Sequence, residues 1–339
     1  MERASLFKLV GLLDNYMKVN LYPIKFQPIL KNKIWGGKKL KTILNKNSNM
    51  SNIGESWEIS DVEGDTSIVA NGDLENQSLK HLLSSYKEAL VGKKNYKQFG
   101  NAFPLLIKFI DAKEDLSIQL HPNDEIAAKR HNSFGKTEMW YVMQADPNSN
   151  LMVGFNQEMT SEKYLKHLHN NTLTEILNFD KVKTGDAYFI EVGRVHSIGA
   201  GVLLAEIQQT SDITYRVYDW DRVDENGNKR ELHNDLAMDA FNFNMPNNFR
   251  INYNKTANTS NKMVTCPYFT TNYLELTQTI KKKNNYDSFI IYVCLEGEVS
   301  FKTQTTTENL VQGETLLMPA TIELFEISSK GAKLLEVYV

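Results

Sequence analysis

The sequence predicts a mostly β protein made of two antiparallel β units, with a few helices packed against the first. Short runs of alternating apolar and polar residues, bounded by Gly, Asn, Asp and Pro, recur from Leu21 onward. A polar stretch at 254–262 (NKTANTSNK) divides a first block from a second one that is equally rich in such runs. Two segments also repeat. GDAYFIEVGRVH from Gly185 and GETLLMPATIEL from Gly313 share a glycine, an acid, an apolar strand and a turn residue (Glu191, Pro319). The first copy ends in His196 and the second has Leu324 at that place, so one unit keeps a polar site that the other has lost. Many short strands with turn signals point to sandwiches or barrels rather than a parallel sheet.

The chain begins with an expected peripheral extension, residues 1–18, with Met17 as an alternative start. Its apolar run, Leu6 to Leu13, is interrupted by Lys8, is short for a membrane span and lacks a cleavage site after it. Gly54 to Ser60 (GESWEIS) reads as a strand with Trp57 buried and with Glu55 and Glu58 open in meaning. Ser78 to Val91 puts Leu79, Leu82, Leu83, Tyr86 and Leu90 on one helical stripe. Strands follow at Phe103–Ala112, Asp115–His121 and Thr137–Gln144. Thr160 to Leu177 has helical spacing again, then come strands at Ala187–Val192, Val202–Gln209 and Ile213–Trp220 and a helix at Asn234–Phe241. The second block reads as strands at 268–279, 287–294, 297–303, 314–319 and 321–327.

With 339 residues the chain has room for roughly two domains of about 150 residues. Its 38 Lys+Arg against 41 Asp+Glu leave a net charge of −3, which excludes the basic field that nucleic acid or an anionic membrane surface would need. Two cysteines, Cys266 and Cys294, without a CxxC exclude a disulfide framework and a cysteine zinc site. The expected compartment is the cytosol, with both thiols reduced.

The chemistry concentrates in a few strands. In DLSIQLHPND, Ser117, Gln119 and His121 share one strand face, opposite Leu116, Ile118 and Leu120. In TEMWYVMQ, Glu138 lies beside Trp140 on one face, and a buried unpaired carboxylate is costly unless a cation meets it. Gln119, His121, Glu138 and His196 together form an N/O set suited to zinc or another first-row divalent ion. One carboxylate on such an ion leaves a residual charge of +1, enough to polarise a carbonyl or hydroxyl oxygen. Lys108, Lys136 and Arg216 lie near these ligands in sequence and suggest an anionic, phosphorylated substrate. Glu206 shares a strand face with Val202, Leu204 and Gln208.

Other polar groups read as structural. His167 and His169 face different ways on a helix; His81, His131 and His233 have no partner pattern; Lys281 to Lys283 sit at a solvated hairpin tip. Trp35-Gly36-Gly37 lacks the lysine and serine of a phosphate loop.

QLHPND, GKTEMWY, GRVHSIGAG and QQTSDITYRVYDW resemble the signature segments of type I mannose-6-phosphate isomerases in their shorter bacterial form, as do YPIKFQPILKNKIWGG and GESWEIS. The resemblance spans Leu21 to Phe243 and, more loosely, the rest. It implies two cupin-like jelly rolls: a catalytic unit over 19–255 with helical insertions and a metal-free unit over 260–339. It implies one zinc ion per chain, held by Gln119, His121, Glu138 and His196, with Gln119 a weaker or absent ligand in the short form. It further implies a catalytic arginine at Arg216, active-site roles for Lys136 and Glu206, and Ser117 and Lys108 near the substrate phosphate. The expected reaction interconverts mannose 6-phosphate and fructose 6-phosphate through a cis-enediolate, with Glu206, Lys136 or a hydroxide on zinc as the general base. Glu191 departs from the proline often found at its place in cupins. The expected partner is a small phosphosugar, and the expected assembly a monomer or homodimer. The competing readings are a sugar-binding protein without catalysis and a cupin isomerase or epimerase for another phosphosugar.

Overall fold

The computed structural model describes residues 20–223, 226–244 and 248–339; the extension expected over residues 1–18 lies outside them. The first unit contains β1 (Ile29–Gly37), β2 (Ile53–Ile59), a short hairpin of β3 (Asp61–Val62) and β4 (Asp65–Thr66), β5 (Leu105–Ala112), β6 (Ile118–Leu120), β7 (Glu138–Ala145) and β8 (Asn150–Phe155). It continues with β9 (Leu177–Lys181), β10 (Ala187–Ile190), β11 (His196–Ile198), β12 (Val202–Gln209) and β13 (Tyr215–Tyr218). Its helices are α1 (Lys39–Thr42), α2 (Leu79–Tyr86), α3 (Glu88–Val91), α4 (Lys93–Phe99), α5 (Asp124–His131), α6 (Ser161–His169) and α7 (Asn234–Met238). The second unit is all strand: β14 (Asn261–Thr265), β15 (Thr270–Leu276), β16 (Ile280–Lys283), β17 (Ile290–Lys302), β18 (Thr307–Val311), β19 (Thr315–Met318), β20 (Leu324–Ser328) and β21 (Ala332–Tyr338).

Two antiparallel sheets, ordered β1-β2-β5-β12-β7-β10 and β13-β6-β11-β8-β9, face each other in the first unit. Strand alternation assigns each side chain a side. On β12, Val202 and Leu204 point between the sheets, where they meet Trp140 and Val142 of β7 and Leu151, Val153 and Ile198 of the opposite sheet. Leu203, Ala205 and Ile207 point outward and join Phe109 and Tyr141 in a separate core. Every residue of β12 is therefore buried.

That outward core is closed by two groups of residues. Leu79, Leu82 and Leu83 of α2 and Leu90 of α3 cover one part, each fully buried leucine contributing about 1.5–3 kcal/mol. Phe269, Tyr273, Ile291, Leu335 and Val337 of the second unit cover the rest, and the rings of Tyr141 and Tyr273 stack at 6.3 Å. Ile24 exchanges two backbone hydrogen bonds of 2.8 Å with Leu317 of β19, which stitches the N-terminal segment to the second unit. At Gly92 (φ +90°) a Cβ would lie 2.0 Å from the Asp287 carbonyl oxygen, so only glycine fits this approach. The Asp287 carboxylate then accepts the Lys93 and Lys94 N–H groups at the start of α4.

The repeat seen in sequence is a repeat in space. The path β5-β12-β7-β10 has its counterpart in β15-β21-β17-β19. Glu206 pairs with Lys108 and Trp140 across its two ladders; Glu336 pairs with Asn272 and Tyr292 across its own. The turns match too. Val142 N–H bonds to Asp186 C=O and Gly185 N–H to Val142 C=O, as Cys294 does with Glu314 and Gly313 with Cys294. In this register Ile290 stands where the first unit has Glu138. Leu324, aligned by sequence with His196, is 58% exposed, and the strand turns Phe325 and Ile327 inward instead. The sequence alignment is thus one residue out of step with the pleat at that strand.

Several expected elements differ. The helix over 78–91 is two helices, broken at Lys87, which takes φ 49°. The stretch over 160–177 is α6, then a 3₁₀ turn (Leu173–Ile176), then β9; Asn171 in left-handed conformation ends the helix although the apolar spacing continues. The segment 115–121 is strand only over Ile118–Leu120, and the helix at 234 ends at Met238. Helix α5 went unseen because it has little apolar stripe; Asn123 caps it by accepting the Ile126 N–H. Lys281 to Lys283 lie in β16, paired with β20, rather than at a tip. In the second unit strands β14, β18 and β21 add to the expected set, and β17 runs unbroken through Gly297 (φ 79°).

Candidate active site

The nine residues singled out from the sequence come from six strands and their ends, and they meet at one end of the space between the two sheets. His121 follows β6, Glu138 opens β7 and His196 opens β11. All three are buried, and their ligand atoms lie within 4.8 Å of one another. His121 Nε2 is 3.5 Å from Glu138 Oε2, and His196 Nε2 is 3.5 Å from Glu138 Oε1. Each imidazole is oriented through its other nitrogen: His121 Nδ1 donates to the Ile213 carbonyl and His196 Nδ1 to the Arg194 carbonyl, both at 2.8 Å. A carbonyl only accepts, so Nδ1 carries the proton in both rings and each Nε2 keeps its lone pair, 3.5 Å from a Glu138 oxygen.

Charged side chains surround this cluster. Lys136 Nζ is 2.6 Å from Glu138 Oε2, 3.1 Å from His121 Nε2 and 3.8 Å from Glu206 Oε1. Lys108 Nζ stands 3.5 Å from Glu206 Oε1 and 3.8 Å from Glu55 Oε2, over the Trp57 ring. Trp140 Nε1 donates to Glu206 Oε2 at 2.9 Å, and Trp57 Nε1 to Glu55 Oε2 at 2.6 Å. Above them a cavity of about 270 Å³ is lined by Lys108, Ser117, Gln119, Lys136, Trp140, His196, Glu206 and Arg216. Ser117 Oγ donates to the Gln119 side-chain oxygen (3.2 Å) and accepts from Arg216 Nε (3.3 Å). Arg216 Nη1 donates to the Glu231 carbonyl at 2.9 Å.

Burial sets the protonation states. It drives the His121 imidazole well below its usual range, helped by Lys136 and His196, and pushes His196 down to about 3, so both rings are neutral donors. Burial raises the Glu138 carboxyl and Glu206 adds to the rise, because two carboxylates share the Lys136 ammonium. Burial opposes the charge on Lys136, but Glu138 and Glu206 outweigh it and hold the ammonium protonated. Glu206 is buried as well, yet Lys136 and Lys108 keep it ionised. Lys108 and Lys33 similarly overcome burial at Glu55 and bring it to about 2.

The donor set fits a divalent cation. Glu138 Oε1 and His196 Nε2 are buried without a hydrogen-bond partner, 3.5 Å apart, and orphaned buried acceptors of this kind are rare. Two neutral imidazoles and one carboxylate are the ligand types of catalytic zinc sites.

Several cavity residues carried no site signal in the sequence. Glu55 was open in meaning, and its partner Lys108 lies 53 positions further on. Lys33, Asp212, Thr214 and Arg230 also line the cavity. Asp219 binds both Arg222 and Arg230, a pairing across a loop that spacing does not reveal. Glu58, in contrast, faces away and pairs with Lys46 at 2.7 Å.

Residues 24–175 match the family model of the phosphomannose isomerase type I catalytic domain, and residues 259–339 that of the mannose-6-phosphate isomerase cupin domain. A mannose-6-phosphate isomerase of Streptococcus mutans is 30% identical over 305 residues, 90% of this chain and 94% of the relative. The crystal structure of mannose 6-phosphate isomerase from Bacillus subtilis superposes with a TM-score of 0.84 at 30% identity, covering 94% of this chain and 100% of that one. A structure of mannose 6-phosphate isomerase bound with zinc and yttrium shares the fold, with a TM-score of 0.74 at 18% identity, over 94% of this chain and 99% of that one.

Proposed function

The chain belongs to the type I mannose-6-phosphate isomerases, and from that premise we propose how its own residues carry the reaction and which ion they hold. It is an aldose–ketose isomerase that interconverts mannose 6-phosphate and fructose 6-phosphate. The proposed ion is zinc, one per chain, held by His121, Glu138 and His196, with Gln119, on the same face as His121, as a further, weaker ligand. The observation that carries this is the pair of orphaned buried acceptors, Glu138 Oε1 and His196 Nε2. Zinc supplies Lewis acidity beside the sugar's carbonyl and hydroxyl oxygens when bound.

Isomerisation moves a proton between neighbouring carbons through an enediolate, an anion that water stabilises poorly. Arg216 provides a fixed positive charge that is not lost by deprotonation. Glu206 has one oxygen, Oε1, without a hydrogen-bond partner; held ionised between Lys108 and Lys136, it accepts a proton there. Lys136 keeps its proton at Nζ and donates toward oxygen as negative charge develops. Ser117 is assigned to the phosphate end, and Lys108, beside Glu206 Oε1, adds positive charge for the anionic substrate; together they orient the sugar. The unit division at 255/260, a cytosolic location, and a monomeric or homodimeric state complete the proposal. No helix among the described residues is long and apolar enough to cross a membrane.

The test is a coupled assay for fructose 6-phosphate formed from mannose 6-phosphate, run before chelation, after it, and with zinc added back. Loss on chelation and recovery with zinc is the expected result. Full turnover after complete removal of metal would overturn the metal centre, and recovery with another divalent ion but not with zinc would overturn the choice of ion.

A further inference from the structure

Arg216 lies on β13, an edge strand whose ladder partner is β6. Its other edge is closed by residues 231–233 rather than by a strand. His233 N–H donates to the Arg216 carbonyl at 2.7 Å, and Arg216 N–H donates to His233 Nδ1 at 3.1 Å. The imidazole thus takes the place of a backbone carbonyl and completes both bonds of a ladder position with one residue. Two residues earlier, the Glu231 carbonyl accepts from Arg216 Nη1. The segment is itself anchored. His233 C=O accepts the Ala237 N–H at the start of α7, whose Ala237 is fully buried, and Arg130 donates to the Leu236 carbonyl at 3.2 Å. The His233 side chain is 23% exposed and lines no wall of the cavity.

We infer that His233 is a positioning residue for Arg216: its Nδ1 fixes the arginine backbone while the Glu231 carbonyl and Ser117 hydroxyl fix the guanidinium. The inference rests on the proposed role of Arg216 in the isomerase reaction. With the fork held at Nε and Nη1, Nη2 is the part left to meet an anion in the cavity. A displacement of about 1 Å at such a group costs on the order of 100-fold in rate. His233→Ala removes the acceptor and frees the strand edge. His233→Asn keeps it, since the amide Oδ1 reaches the position of Nδ1.

The experiment measures kcat, KM and zinc content of zinc-loaded wild type, His233→Ala, His233→Asn, Arg216→Lys and the double variant His233→Ala/Arg216→Lys. We expect His233→Ala to lower kcat by about 10- to 100-fold with zinc content and KM little changed, and His233→Asn to recover most of it. In the Arg216→Lys background His233→Ala should add little, because both changes act through one group. A full independent loss in the double variant, or an unchanged kcat in His233→Ala, would overturn the inference. Wild-type turnover in Arg216→Lys would instead overturn the role given to Arg216, a distinct failure. If His233→Ala does not fold, the cycle is run with His233→Gln, whose carbonyl is misplaced by one methylene, and the same outcomes apply.

Discussion

Replacing Lys136 by methionine should tighten metal binding while slowing turnover. The ammonium is 2.6 Å from Glu138 Oε2 and 3.1 Å from His121 Nε2, two of the atoms that face the candidate ion. An ion bonded to those atoms at about 2.1 Å would lie within about 5 Å of Nζ. At an effective dielectric of about 20, repulsion between a single and a double positive charge at that distance is about 7 kcal/mol. Part of this is offset, because without Lys136 the Glu138 and Glu206 carboxyls bind protons more readily and those must leave when metal enters. A net gain of roughly 2 kcal/mol remains, about 30-fold in affinity. Competition for zinc with a chromophoric chelator near neutral pH reads this directly. The metal-free variant should also unfold more easily, by on the order of 3 kcal/mol, since a buried pair has lost one partner, and the increase in Tm on adding zinc should exceed that of wild type. Equal or weaker zinc affinity together with an unchanged metal-free Tm would show that the Lys136 charge does not face the ion.

His196→Ala should leave the chain folded with zinc content well below one ion per chain, checked by metal analysis after gel filtration; full occupancy would remove His196 from the ligand set. The Glu55 carboxyl, at about 2 in the folded protein against an ordinary 4.5, stabilises the fold by on the order of 3 kcal/mol at neutral pH. A depressed acid contributes fully above its unfolded value and loses that contribution as pH falls through its folded value. The deficit of Glu55→Gln in urea unfolding should thus be flat from pH 8 to 5, shrink below about pH 4.5 and be nearly gone near pH 2; a deficit near pH 2 as large as that at pH 7 would contradict this. In the second unit, Glu336 is wholly buried and bonded to Lys282 (2.7 Å), Ser260, Asn272 and Tyr292. Lys282→Met should cost about 3–5 kcal/mol by stranding that carboxylate yet leave kcat of the folded enzyme unchanged, and adding Glu336→Gln should restore most of the stability. A loss below about 1 kcal/mol would mean that the pair is not sealed from water.

The faces of single strands were legible in the sequence because alternation is local. Ser117 with Gln119, and Glu138 with Trp140, sit on the sides that their spacing predicts. The duplication was legible for the same reason, since Gly185 and Gly313 both need the left-handed turn (φ +88° and +84°) that starts their strands. Local signals misled where tertiary packing chose otherwise. Lys281 to Lys283 read as a solvated tip because charge hid the alternation, but Lys282 turns inward to Glu336. The stripe over 160–177 stayed apolar past the point where Asn171 stops the helix.

By itself, then, the sequence determined the strand-rich class, the residue types of a metal site and the family that the segments resemble. Only the tertiary structure decided which strands face one another, since that is set by contacts between residues far apart in the chain. It thereby decided that Glu55 joins Lys108 while Glu58 leaves the cavity, that both imidazoles carry their protons on Nδ1, and that His233, without a partner pattern in the sequence, closes the strand edge at Arg216. Spacing along one strand assigns a side chain to a face; what it meets there depends on a second strand whose register no local pattern contains.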